Sequence, residues 1–94
     1  MMRLEDQEIR DRLDELQGWR EEDNVIAQCF TFADFRTALG FVMRVGECAE
    51  QADHHPDIRM HDWNKVTVSL TTHSEGGLTE KDFQLAAEIT RLAP

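Results

Sequence analysis

The sequence predicts an α+β fold: a single four-stranded antiparallel sheet with three helices packed on one face, in the order α-β-β-α-β-β-α. Three observations predict it. Hydrophobic spacing switches between helical and strand periods along the chain. The strand-like runs fall into two pairs close enough in sequence to form hairpins. The best-defined strand is apolar on one side only, so helices can cover one face of the sheet while the other stays open. Neither an internal repeat nor a linker divides the 94 residues, so one domain over 1–94 is expected.

The first helix is read from "DQEIRDRLDELQGW", where Leu4, Ile9, Leu13 and Leu16 lie near one face and Gly18 follows at a left-handed stop. "WREEDNVIAQCFTF" is a hairpin turning at "EEDN", with Ile26, Gln28, Phe30 and Phe32 on one side and Val25, Ala27 and Cys29 on the other. The second helix begins near Asp34, with Phe35, Leu39, Val42, Gly46, Ala49 and Ala52 along its seam and Gly40 and Gly46 allowing close approach to the sheet. Pro56 disfavours helical geometry at His55, so this helix is expected to end at or just before the histidine pair. "PDIRMHDW" reads as an irregular edge strand pairing with "NKVTVSLTTH", whose Val66, Val68 and Leu70 point inward. The last helix follows two glycines, capped by Thr79 with Asp82 in a capping-box position.

Composition narrows the function classes. A formal net charge of −9, with ten Lys and Arg residues scattered along the chain, opposes direct binding to a phosphate backbone. No apolar run approaches a membrane span, and the acidic start "MMRLEDQEIR" lacks the apolar core of a signal peptide, so a cytoplasmic location is expected. Cys29 and Cys48 fall in apolar segments without CxxC spacing and are expected to be buried free thiols. An open sheet face in so small a chain favours association with further copies, a homodimer or homotetramer.

The unusual residues are Glu50, His54, His55, His73 and Asp82. Glu50 lies one helical turn before His54 and, if the helix continues that far, can accept from its imidazole. Asp82 shares a helical face with Leu85, Ala86, Ile89 and Leu92, so its carboxylate points toward the core and needs a donor there. Each residue also has a purely structural explanation: Asp82 as half of a capping box, the histidines as partners for a helix's last carbonyls. His61 matches no pattern. A zinc site built from His54, His55, His73 and Asp82 has the right ligand types, but adjacent histidines diverge.

The complete spacing changes the balance: Glu50, three residues, "HHP" at 54–56, six residues, Trp63, nine residues, His73, eight residues, Asp82. It resembles the signature of the pterin-4a-carbinolamine dehydratases, and "FTFADFRTALGFVMRVGECAEQADHHPDI", "NKVTVSLTTH" and "GGLTEKDFQLA" are similar to that family's segments over about residues 18–92. The resemblance implies a four-stranded antiparallel sheet with three helices on one side, assembled into dimers or tetramers. It also implies dehydration of a 4a-hydroxytetrahydropterin to the quinonoid dihydropterin, with the pterin as substrate and no cofactor or metal. His54, His55, His73 and Asp82 would then be catalytic, with Glu50, Asp53, Pro56, Trp63 and Thr72 as substrate-binding residues. By the same resemblance His54 and His73 are assigned to proton transfer, His55 to substrate positioning with some share in acid–base work, and Asp82 and Glu50 to orienting and charging the imidazoles. Some animal relatives also act as dimerisation partners of a transcription factor, so a protein-interaction role is the alternative.

Imidazole suits the reaction, because an ordinary pKa of about 6.5 keeps both protonation states accessible near neutrality. Several imidazoles in one pocket cannot all be cationic without repulsion, which provides an acid and a base together.

Overall fold

The computed structural model describes residues 2–93. Helix α1 (Asp6–Asp14) is followed by strands β1 (Arg20–Glu22) and β2 (Val25–Thr31), helix α2 (Phe35–Ala52), strands β3 (Asp57–His61) and β4 (Lys65–Leu70), a 3₁₀ turn at His73–Glu75 and helix α3 (Glu80–Leu92). The strands form one antiparallel sheet in the order β1-β2-β4-β3. The α+β fold and its element order are those read from the sequence. No helix among the described residues is long and apolar enough to cross a membrane.

Two-residue periodicity decides the sheet faces. Ile26, Phe30, Val66, Val68 and Leu70 are buried, while Cys29 is exposed and Thr67 and Ser69 are half-buried on the other face. Phe41 stacks obliquely on Phe30 and Phe32, with ring centroids 4.9 Å apart in each pair. Ile9, Val45, Leu85, Ala86 and Ile89 join the same core. Trp19 is buried against Phe30 and donates its indole N–H to Thr90 Oγ1 at 2.8 Å, so its one polar atom is satisfied. Asp23 and Asn24 close the first hairpin with positive φ at both positions, the turn whose twist matches the flanking strands.

Three expectations are corrected. Helix α1 ends at Asp14, earlier than its proposed stop; Gly18, at φ +91°, instead lets the chain turn into β1 with the Gln28 side chain close against it. The inward face of α2 is Ala38, Phe41, Val45 and Ala49, whereas Phe35 and Leu39 are 52% and 46% exposed. Gly40 and Gly46 therefore do not approach the sheet, and a methyl group at Gly46 would meet nothing within 4 Å. This helix carries apolar residues on two faces, and periodicity alone cannot choose between them. Finally, Cys29 is exposed and Cys48 half-buried rather than core thiols, because Cys29 occupies the uncovered sheet face.

Arg12 on α1 makes a two-pronged ion pair with Glu80 at the start of α3. The hydrogen bonds from Arg12 hold the Glu80 carboxyl below its ordinary value of 4.5, against the opposing effect of burial. A carboxyl depressed in the folded state stabilises the fold above its unfolded value and loses that contribution as pH falls through the folded one. Arg12→Gln is therefore expected to cost at most about 1 kcal/mol at neutrality, both partners being solvated, and to raise the midpoint of acid unfolding followed by circular dichroism. Superimposable acid transitions would show that the pair contributes nothing.

Candidate active site

The cluster is assembled where the N-terminal end of β3 meets the C-terminal end of β4. Asp57 pairs with Ser69, so the segments just outside the two strands, His54–Pro56 and Thr71–His73, emerge at the same end of the sheet. Helix α2 stops at Ala52, and Asp53 takes a left-handed conformation at φ 51°. The chain thereby reverses, and the His54 N–H returns to Ala49 O at 3.1 Å, the backbone closure typical of a helix end.

That reversal separates the adjacent imidazoles. His54 Nε2 lies 2.5 Å from Asp82 Oδ1, while His55 Nε2 bonds to Glu50. Glu50 therefore partners His55 rather than His54, because the helix does not persist to carry the four-residue spacing onward. The first pair is enclosed: the side chain of His54 is 11% exposed and that of Asp82 is 0% exposed. The second is solvated, at 58% for His55 and 76% for Glu50.

Asp82 combines the two roles left open by its sequence position. Its Oδ2 accepts from the Thr79 N–H at 2.9 Å, completing the capping box of α3, and from the Thr72 hydroxyl at 2.8 Å. Its Oδ1 faces His54. Four lone-pair sites are thus largely used, which makes a fully buried carboxylate tolerable. A carboxylate only accepts, so His54 Nε2 carries a hydrogen and the lone pair of the neutral ring lies at Nδ1. The Thr72 hydroxyl also meets the Thr79 hydroxyl at 2.9 Å, locking the strand-end loop to the helix start.

His73 opens the 3₁₀ turn next to Thr72 and is exposed. Its loop is clamped from an unexpected direction: the Leu4 N–H donates to Leu78 O at 2.7 Å, and Arg3 donates to Gly76 O at 3.3 Å while its stem covers Gly77. No local pattern in the sequence signals this contact, since the two segments are more than 70 residues apart.

The remaining candidates divide. A groove of about 650 Å³, lined by Val42, Met43, Glu50, His55, Pro56 and Ile58, opens beside the second imidazole. Asp53 is an exposed helix cap. Trp63 does not reach the cluster within one chain: it is 60% exposed in the β3–β4 turn, a full strand away from Pro56. Successive strands of a hairpin run oppositely, so the turn lies at the far end of the sheet. Among the described residues no group of three or more His, Cys, Asp or Glu side chains is placed to share a metal ion.

Residues 2–92 match the Pterin 4 alpha carbinolamine dehydratase family over nearly the whole chain. The chain belongs to this family. A relative from Roseiflexus sp. (strain RS-1) is 50% identical over 90 residues, covering 96% of both chains, and one from Sulfolobus acidocaldarius is 43% identical over 91 residues, covering 97% and 99%. Both are named, provisionally, as pterin-4-alpha-carbinolamine dehydratases. A crystal structure from Brucella melitensis, described as a transcriptional coactivator/pterin dehydratase, is 39% identical with a TM-score of 0.91 over 98% of this chain and 99% of that one. A pterin dehydratase-like RuBisCO assembly factor of the alpha-carboxysome is 20% identical, with a TM-score of 0.67 over 80% of this chain and 86% of that one, and shares the fold. Proteins that share this scaffold thus carry differing descriptions, pterin dehydratase, transcriptional coactivator and assembly factor.

Proposed function

We propose that this member dehydrates a 4a-hydroxytetrahydropterin, the by-product of aromatic amino acid hydroxylation, to the quinonoid dihydropterin by histidine general acid–base catalysis. The observation that carries the reading is the enclosed His54–Asp82 pair, which orients one imidazole with its Nδ1 free of protein partners among the described residues. In the reaction a base removes the proton from N5, the N5–C4a double bond forms, and the C4a–oxygen bond breaks as an acid protonates the departing hydroxyl. One proton is taken and one is returned. His54 and His73 are the proton-transfer residues, and His55, held by Glu50 at the apolar groove, positions the pterin together with Pro56. The N5 lone pair drives the elimination, so the mechanism calls on no resident metal or redox cofactor.

Stopped-flow absorbance with chemically generated 4a-hydroxytetrahydropterin tests this directly. Dehydration faster than the spontaneous rate, undiminished by exhaustive chelation, is expected; a rate equal to the spontaneous one sinks the proposal. In the same assay His73→Ala is expected to lower the catalysed rate by about 10² or more, and His61→Ala to leave it unchanged. Equal damage from the two would misplace the pocket.

A second reading, an interaction role alongside or instead of catalysis, is favoured by one specific feature. Phe35, Leu39 and Met43 form an exposed apolar row on α2, at 52%, 46% and 66%, a surface suited to association with another helix. We infer a homo-oligomer, dimer or tetramer, and sedimentation as a monomer at micromolar concentration would refute it.

A further inference from the structure

On the open face of the sheet, away from His54 and Asp82, a second group of reactive side chains lies in a row across three adjacent strands. Cys29 on β2 pairs in register with Thr67 on β4, and His61 stands at the end of β3 beyond them. His61 Nδ1 is 3.1 Å from Asp62 Oδ2, and its Nε2 is 2.8 Å from Thr67 Oγ1 and 4.0 Å from Cys29 Sγ. The imidazole is mostly covered, with 17% of its side chain exposed, whereas Cys29 is open to solvent.

The tautomer follows from the carboxylate. The hydrogen bond from His61 holds the Asp62 carboxyl below the usual carboxylate range, so Asp62 is ionised at neutrality and can only accept. Nδ1 therefore bears the hydrogen, and the Nε2 lone pair is directed at the Thr67 hydroxyl and the Cys29 thiol. This is the sequence of roles that activates a thiol: an orienting acid residue, an imidazole base, and an accessible sulfur. Cys48 makes no comparable contact among the described residues. Cys29 also lines a groove of about 690 Å³ with Arg20, Glu22 and Asp23 among its lining residues; Arg59 pairs with Thr67 and Lys65 with His61 on the same face, so charges of both signs surround the sulfur.

We propose that Cys29 is a thiol–disulfide exchange site for small disulfides, with His61 as its base. His61 Nε2 takes the thiol proton, and the Cys29 sulfur attacks one sulfur of the disulfide. The Cys29–sulfur bond forms as the original sulfur–sulfur bond breaks, and the departing thiolate takes the proton from the imidazolium. One disulfide and one thiol become a mixed disulfide and a released thiol, with no other oxidant. A free thiol reverses the step. The outcome is a reversible modification of the open sheet face that leaves the dehydratase cluster untouched.

The test uses the full chain carrying Cys48→Ser, exposed to hydroxyethyl disulfide, with adduct formation followed by intact mass. A single adduct at Cys29 is expected, and its absence would overturn the site. His61→Gln is expected to slow it by about tenfold or more, the loss of a positioned base. Asp62→Asn, which removes the fixed tautomer from an exposed turn, is expected to slow it as well and covers the case in which His61→Gln does not fold. Thr67→Val removes the competing hydroxyl and is expected not to slow it. Unchanged rates in His61→Gln or, failing that, in Asp62→Asn would overturn the base assignment.

Discussion

Asp82→Asn is expected to abolish most of the dehydratase activity, about 10³-fold or more, while the protein remains folded. Asparagine caps a helix nearly as well as aspartate, so its carbonyl oxygen can keep the bonds that Oδ2 now accepts from the Thr79 N–H and the Thr72 hydroxyl. The amide nitrogen then faces His54 Nε2. A donor there forces the neutral imidazole to accept at Nε2 and carry its hydrogen at Nδ1, so the working nitrogen has lost its lone pair. In a serine-protease triad the same replacement costs about 10⁴ through the wrong tautomer. Asp82→Ala differs in kind. It strips the cap and leaves Thr72, Thr79 and His54 short of partners inside the protein, for an expected loss of about 3–5 kcal/mol. Melting temperature and turnover measured on one Asp82→Asn preparation decide the matter: normal turnover would reduce Asp82 to a helix cap.

His54→Gln is expected to lower the catalysed rate by about 10² or more, the usual worth of a positioned acid or base. The choice of glutamine matters because the side chain packs against a fully buried carboxylate. An amide can still donate to Asp82 Oδ1, whereas His54→Ala leaves that oxygen without its partner and adds about 1–3 kcal/mol of instability. A comparison of the two variants by chemical denaturation and stopped-flow kinetics separates chemistry from folding. If His54→Gln turned over normally, proton transfer would have to be assigned to His73 alone.

The chain's local rules made much of this legible in advance. Alternation in "KVTVSL" placed Val66, Val68 and Leu70 inside, because a strand's two faces follow directly from its backbone period. Pro56 located the end of α2, since the ring excludes helical geometry at the residue before it. Thr79 and Asp82 announced the start of α3, because capping is settled within one turn of helix. The separate motif positions could be assigned to one family from their spacing.

Partner choice belonged to the tertiary structure. Glu50 meets His55 and not His54 because Asp53 reverses the chain, a backbone event that side-chain spacing does not encode. The inward face of α2 emerged only when the helix docked, since two apolar stripes fit the same period and one of them stayed exposed. Cys29 looked like core until the sheet showed which of its faces the helices cover. Trp63 and the histidines share a motif in sequence, yet a hairpin sends its turn to the opposite end of the sheet from its outer ends. The clamp of Arg3 and Leu4 on the His73 loop spans nearly the whole chain. Short-range periodicity and capping are properties of a few neighbouring residues and are written there; contacts between distant segments depend on how the elements pack, which no single stretch contains.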